Sequence, residues 1–231
     1  ELRRPGLQGE HLTLGTATDP YQPVEGRYRL TRGALSLMRD HANPVSLLTK
    51  SPMIVRDVDV LAEIARETSA EVFFSITTVD LDLWRTVEPG TANPFHRLRA
   101  MRTLRDAGIS AGVMMAPVLP GLTDSAASIE AVAAAARDHN AASFSATALR
   151  LAPHVKEFYL GFVHDEYPAL LPRYKRAYPG TYAPPAYREK LDERIQRIRH
   201  AYGFDSRSAR RANPPAPPAP PRKGPQLALP L

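Results

Sequence analysis

Cysteine is absent from all 231 residues. That excludes disulfides, and it excludes any zinc or iron–sulfur site that takes its thiolates from this chain. No stretch approaches the ~18 consecutive apolar residues of a membrane span, and no leader-like pattern opens the chain, so the expected compartment is the cytoplasm and no membrane partner is expected. The seven histidines are scattered, with neither H-x-x-x-H nor H-x-H spacing to suggest a metal site. No G-x-G-x-x-G turn and no Walker-type loop occur, so neither familiar glycine-rich phosphate cradle is available. The first residue is Glu1, not methionine, and a longer parent protein is expected.

What is present is enough for one sizeable domain with extensions: 43% of the residues are hydrophobic. The net charge of +6 is unevenly placed. Residues 1–152 hold 16 Lys/Arg against 17 Asp/Glu, residues 153–204 hold 9 against 6, and residues 205–231 hold 5 against 1. A neutral first part followed by a basic C-terminal third suits an acidic partner such as nucleic acid, and equally suits an ordinary solvated surface with a basic tail.

Short β-branched runs alternate with helical periodicity, the signature of parallel β/α units. The runs are His11–Thr16, Val45–Thr49, Glu71–Thr77, Ala111–Ala116 and Ala142–Leu149. Between them lie four helices. One spans Thr31–His41 with Thr31 as N-cap, and one begins at Asp57 with Val58, Leu61 and Ile64 on a face. One follows Pro94 with Leu98, Met101 and Leu104 inward and Gly108 as its stop. The last runs from about Ser125 to His139. Five strands with right-handed crossovers give an α/β fold, a partial (β/α) barrel over residues 1–152; a doubly wound open sheet is the alternative. Residues 153–204 form a helical appendage, with Val155, Phe158, Tyr159 and Phe162 as one stripe and Leu191, Ile195 and Ile198 as another. Residues 205–231, with eight prolines, are expected to be a disordered basic tail.

Ligands of parallel β/α folds sit beyond the C-terminal strand ends. The first run is followed by a long polar loop containing Thr18, Asp19, Tyr21 and Glu25. The second ends at Lys50, the third at Ser75 and Thr77 with Glu88 in the loop beyond, the fourth at Ala116, and the fifth at Arg150. Hydroxyls, one lysine, one arginine and acidic side chains on one rim suit a ligand with a carboxylate, an ammonium and a ribose. Taken singly, each also has an ordinary role as a turn former or helix cap.

The phrases Thr16–Glu25, Leu48-Thr49-Lys50, Phe74-Ser75-Ile76, Glu88-Pro89-Gly90-Thr91 and Ala116-Pro117-Val118, in that order on successive strands, resemble the radical S-adenosylmethionine enzymes, in the branch that contains spore photoproduct lyase and its DNA-repair photolyase-like relatives. The resemblance implies a barrel of six β/α units. It also implies a C-x₃-C-x₂-C loop after the first strand that holds a [4Fe–4S] cluster, and a 5′-deoxyadenosyl radical that abstracts hydrogen from substrate. On this likeness the run His11–Thr16 matches the second strand, so the first β/α unit and its cysteines are missing. Lys50 would contact the carboxylate of S-adenosylmethionine, Thr18 and Ser75 its polar groups, and Ala116 would lie near the adenine. Asp19, Tyr21, Glu25, Thr77, Glu88 and Arg150 would face the rim or the substrate. The lyases carry a hydrogen-donating cysteine at a place that is about Thr16 here, so their substrate does not carry over. A cluster-free nucleic-acid-binding module is the rival reading.

The chain ends Gln226-Leu227-Ala228-Leu229-Pro230-Leu231. Gln226, Leu227, Leu229 and Leu231 resemble the Q-L-x-L-x-L peptide by which bacterial repair proteins dock on the DNA sliding clamp, and a flexible basic tether would present such a peptide well.

Overall fold

The structure, a computed structural model, describes Leu7 and residues 9–204. The tail and its peptide, from Gln226 to Leu231, lie outside the described residues. The elements are β1 (Leu12–Leu14), α1 (Glu25–Tyr28), α2 (Leu30–Asp40), β2 (Val45–Thr49), α3 (Val58–Glu67), β3 (Ala70–Ser75), α4 (Leu81–Val87), α5 (Pro94–Asp106), β4 (Ser110–Val118), α6 (Ala126–Asp138), β5 (Phe144–Ala148), α7 (Pro153–Glu166), α8 (Leu171–Ala177) and α9 (Pro185–Ala201), with 3₁₀ turns at Pro52–Asp57 and Pro168–Leu170.

All five strands are parallel and stand in the order β1-β2-β3-β4-β5. A doubly wound sheet reverses its strand order at a switch point. Here the order never reverses, and β1 does not pair with β5, so the sheet is a partial β/α barrel. The strands β2 and β3 alternate. Val45, Leu47 and Thr49 on β2 and Ala70, Val72 and Phe74 on β3 are buried, while Ser46, Leu48, Glu71 and Phe73 are half-buried on the other face. The buried face packs against Leu35, Leu61, Ile64, Leu98, Met101, Ile129 and Val132 from the helices. Burying each such side chain stabilises the fold by about 1.5–3 kcal/mol before entropy is counted.

Helix ends follow local chemistry. Asn93 caps α5 by accepting from the Phe95 amide at 2.8 Å, with Pro94 in the first turn, and Gly108 takes φ +82° just past its end. Ser125 caps α6 through the Ser128 amide, and Asp80 caps α4. Thr31 is not the expected N-cap. Arg29 adopts φ +53° between α1 and α2, α2 begins at Leu30, and the Thr31 hydroxyl donates to the Pro20 carbonyl at 2.5 Å. Asp57 precedes α3 but caps nothing, because its carboxylate is committed to two arginines and a tyrosine.

Residues 153–204 pack in two ways. Leu191, Ile195 and Ile198 of α9, with Phe204, join the core of the sheet and lie against α6 and β5. Helices α7 and α8 build a second, smaller core from Leu119, Leu149, Leu151, Val163, Tyr174 and Tyr178. The expected α7 stripe is corrected here: Val155 and Phe158 are exposed, Phe158 by 82%, and the packed face is Tyr159, Phe162 and Val163. Among the described residues, no helix is long and apolar enough to cross a membrane.

Candidate functional site

The rim begins where β1 ends. Gly15 takes φ +92°, and a Cβ there would stand 2.1 Å from the Leu48 carbonyl oxygen. Only glycine lets the loop leave β1 so close to β2. Asp19 then ties that loop to the end of β2. One carboxylate oxygen accepts from the Tyr21 amide (2.9 Å) and the Thr49 hydroxyl (2.7 Å), and the other from the Lys50 amide (2.7 Å). Thr18, just before it, is exposed.

Lys50 leads into the most charged part of the rim. Its ammonium is 2.7 Å from Glu88 Oε1, which also accepts from the Thr77 hydroxyl at 2.8 Å. Glu88 Oε2 is 2.9 Å from a guanidinium nitrogen of Arg97. Arg97 is fully buried; it also donates to the carbonyls of Ser75 (2.7 Å) and Ala92 (2.8 Å) and to the Thr91 hydroxyl. Burial pushes the Glu88 carboxyl upward. The Lys50 and Arg97 charges, with the hydrogen bonds from Lys50 and Thr77, outweigh that and hold it below the usual carboxylate range. The group carries two cations and one anion. Arg97 meets Glu88 from the buried side, and the Lys50 ammonium, on a side chain 37% exposed, meets it from the mouth. Next to it, the Ser75 hydroxyl donates to the Ala116 carbonyl at 2.9 Å and bridges the ends of β3 and β4.

The structure thus brings Asp19, Lys50, Thr77, Glu88, Ser75 and Ala116 together. Tyr21 and Glu25 lie elsewhere. Both are buried in a second network under the β1 loop, in which the Tyr21 hydroxyl donates to Asp57 (3.1 Å) and Arg56 pairs with Glu25 and Asp57 (2.9 Å each). Arg32 joins Asp57 to Asp59. Burial, then the Asp57 charge, raises the Tyr21 phenol, and the arginines hold Asp57 below its ordinary value against its own burial. These two residues hold the loop and offer nothing to a ligand, contrary to their expected place on the rim. Arg150 is on the rim but at its far end, beside Tyr182.

The residue that sequence reasoning missed is Arg97. It stands on the inward stripe of α5, one turn before Met101, and a charged residue in a core position was the available signal. Arg56 and Asp57, adjacent in sequence, carried no comparable mark.

No family model matches the chain. An uncharacterized protein of Mycobacterium tuberculosis is 38% identical over 196 residues, which cover 84% of this chain and 58% of that protein. An uncharacterized protein of Methanocaldococcus jannaschii is 31% identical over 111 residues, covering 48% of this chain and 41% of the relative. The chain therefore spans between about two fifths and three fifths of the length of these relatives. Among solved structures, spore photoproduct lyase complexed with dinucleoside spore photoproduct superposes with a TM-score of 0.61 at 15% identity over 83% of this chain and 58% of the lyase. A lyase variant with bound AdoMet and dinucleoside spore photoproduct gives 0.61 at 17% identity. The chain thus shares the fold of spore photoproduct lyase, a partial β/α barrel.

Proposed function

We propose that this chain is the S-adenosylmethionine-holding part of a radical enzyme that acts on nucleic acid. The observation that carries the reading is the Lys50–Glu88–Arg97 group. It presents a partly exposed ammonium, steadied by Glu88, at the strand ends of a fold shared with spore photoproduct lyase, one structure of which has AdoMet bound.

The donor set fits S-adenosylmethionine. Lys50 offers its ammonium to the carboxylate, a charge-assisted bond. The Thr18 hydroxyl is exposed, and Ser75, having given its proton to Ala116, keeps lone pairs for the ammonium or a ribose hydroxyl. The Ala116 carbonyl keeps one lone pair for the adenine amino group. Asp19 fixes the Lys50 backbone, and Glu88 fixes its side chain. Bound there, S-adenosylmethionine would supply a 5′-deoxyadenosyl group for hydrogen abstraction, given one electron from a donor outside this chain. The [4Fe–4S] cluster implied by the resemblance does not fit this chain, which has no cysteine. The part of these residues is to bind and orient S-adenosylmethionine and substrate. The basic surplus of residues 153–204, 9 Lys/Arg against 6 Asp/Glu, supports the second reading, a cluster-free module that binds nucleic acid.

Amide chemical shifts followed during titration with S-adenosylmethionine separate the two. Shifts centred on Thr18, Lys50, Ser75 and Ala116, with affinity about tenfold weaker in Lys50→Ala, are expected. Shifts elsewhere, or no loss in Lys50→Ala, would defeat the cofactor reading.

A further inference from the structure

Tyr182 is 57% exposed, although Tyr159, Tyr174, Tyr178 and Tyr187 nearby in sequence all pack inward. Its backbone bridges to Arg150, just past β5, and Leu151 donates to the Thr181 carbonyl, so the ring is fixed at the carboxyl end of β5. The Arg150 guanidinium lies 5.3 Å from the ring centroid and that of Arg188 lies 6.0 Å away. Carbon atoms in full contact stand at about 3.5–4.0 Å. Both cations stand farther off than that, and Tyr182, 57% exposed, keeps open area. Arg188 is steadied by a bond to the Ala183 carbonyl (3.1 Å), and Lys156 reaches the Pro179 carbonyl (3.0 Å) beside the same turn. Among the described residues, none of these three cations has a carboxylate partner. The exposed ring thus has two guanidiniums within 6.0 Å of its centroid. Its chemistry matches a nucleotide, with a π-face for the base and two forks for phosphate.

We propose that Arg150, Tyr182 and Arg188 form a platform that stacks one base of a single nucleic-acid strand and grips its flanking phosphates. Lys50 follows β2 and Arg150 follows β5, so the platform and the ammonium share one rim, three strand spacings or roughly 14 Å apart. The platform rests on the nucleic-acid part of the reading above and names how the substrate class is held. Its test needs no S-adenosylmethionine, so its failure leaves the Lys50 titration standing.

The test uses the full chain and a twelve-residue oligothymidylate carrying one 2-aminopurine, whose fluorescence falls when it stacks. Binding with quenching is expected. Tyr182→Phe should keep it, and Tyr182→Ala should lose the quenching and weaken binding about tenfold. In Arg150→Gln/Arg188→Gln the slope of log affinity against log salt should shrink by about 1.4, at ~0.7 per phosphate released. Circular dichroism of each variant confirms that the fold is intact. Unchanged quenching in Tyr182→Ala overturns the proposal. So does equal affinity for the duplex form, whose bases are not free to stack, or equal competition by polyglutamate.

Discussion

Arg97 gives the sharpest test of how the rim is built. Its guanidinium is fully buried and serves four acceptors: Glu88, the Ser75 and Ala92 carbonyls and the Thr91 hydroxyl. Arg97→Met keeps the length and the apolar stem but leaves Glu88 buried with Lys50 as its remaining cation, and strands two carbonyls. Removing one partner of a buried pair costs about 3–5 kcal/mol, because the other charge stays behind. Lys50 is partly exposed and relieves some of this, so the lower end applies. For a chain of this size that is a fall in Tm of roughly 10 °C. Chemical denaturation of Arg97→Met, Glu88→Gln and the double variant measures the coupling. The double variant should be less unstable than the sum of the singles by at least about 1 kcal/mol, since a neutral amide in place of the Glu88 carboxylate no longer needs a buried cation. A cost below about 1 kcal/mol for Arg97→Met, or strict additivity, would refute the account of Arg97 as the neutraliser of Glu88.

Three further outcomes follow from the same geometry. Glu88 has a depressed carboxyl in the fold, so its ionised form stabilises above the ordinary value of 4.5, and that stability is lost as pH falls through the lower folded value. Glu88→Gln should therefore destabilise at pH 6–8, with the gap closing below about pH 4 in pH-dependent unfolding. Asp19→Asn removes one of the oxygens that accept from Tyr21, Thr49 and Lys50; it should cost about 1–3 kcal/mol and speed amide exchange across residues 16–24, and unchanged exchange would contradict the anchoring role. Anaerobic addition of iron and sulfide to this chain should give no charge-transfer absorption, since it offers no thiolate, and a stable four-iron cluster would overturn that expectation.

Much of this architecture was legible in the sequence because each strand is a short β-branched run and each connecting helix carries a spaced apolar stripe. Proline at 94 and glycine at 108 marked the ends of α5. The carboxyl-end positions of Lys50, Ser75 and Ala116 were legible too: Lys50 sits one step past β2, Ser75 closes β3 and Ala116 lies near the end of β4. What local pattern does not carry is pairing. Nothing near Lys50 says that its ammonium meets Glu88, 38 positions away, or that Arg97 closes the group from behind. Tyr21 and Glu25 misled for the same reason, since their partners Asp57 and Arg56 lie on another unit. Thr31 and Phe158 failed more locally. A left-handed Arg29 set the start of α2, and the face of α7 was decided by where α8 docks.

The strand order has a consequence for how the molecule is assembled. Every paired register joins sequence neighbours: Leu12 with Val45, Val45 with Ala70, Glu71 with Ser110, Val113 with Phe144. No loop longer than about forty residues must close to place any strand, and no strand waits for one made much later. The sheet can thus be laid down in the direction of synthesis, each emerging unit finding its template already formed. The rim contacts follow the same rule, Asp19 with Lys50, Lys50 with Glu88 and Ser75 with Ala116 lying 31, 38 and 41 positions apart, so each joins one unit to the next as its strands pair.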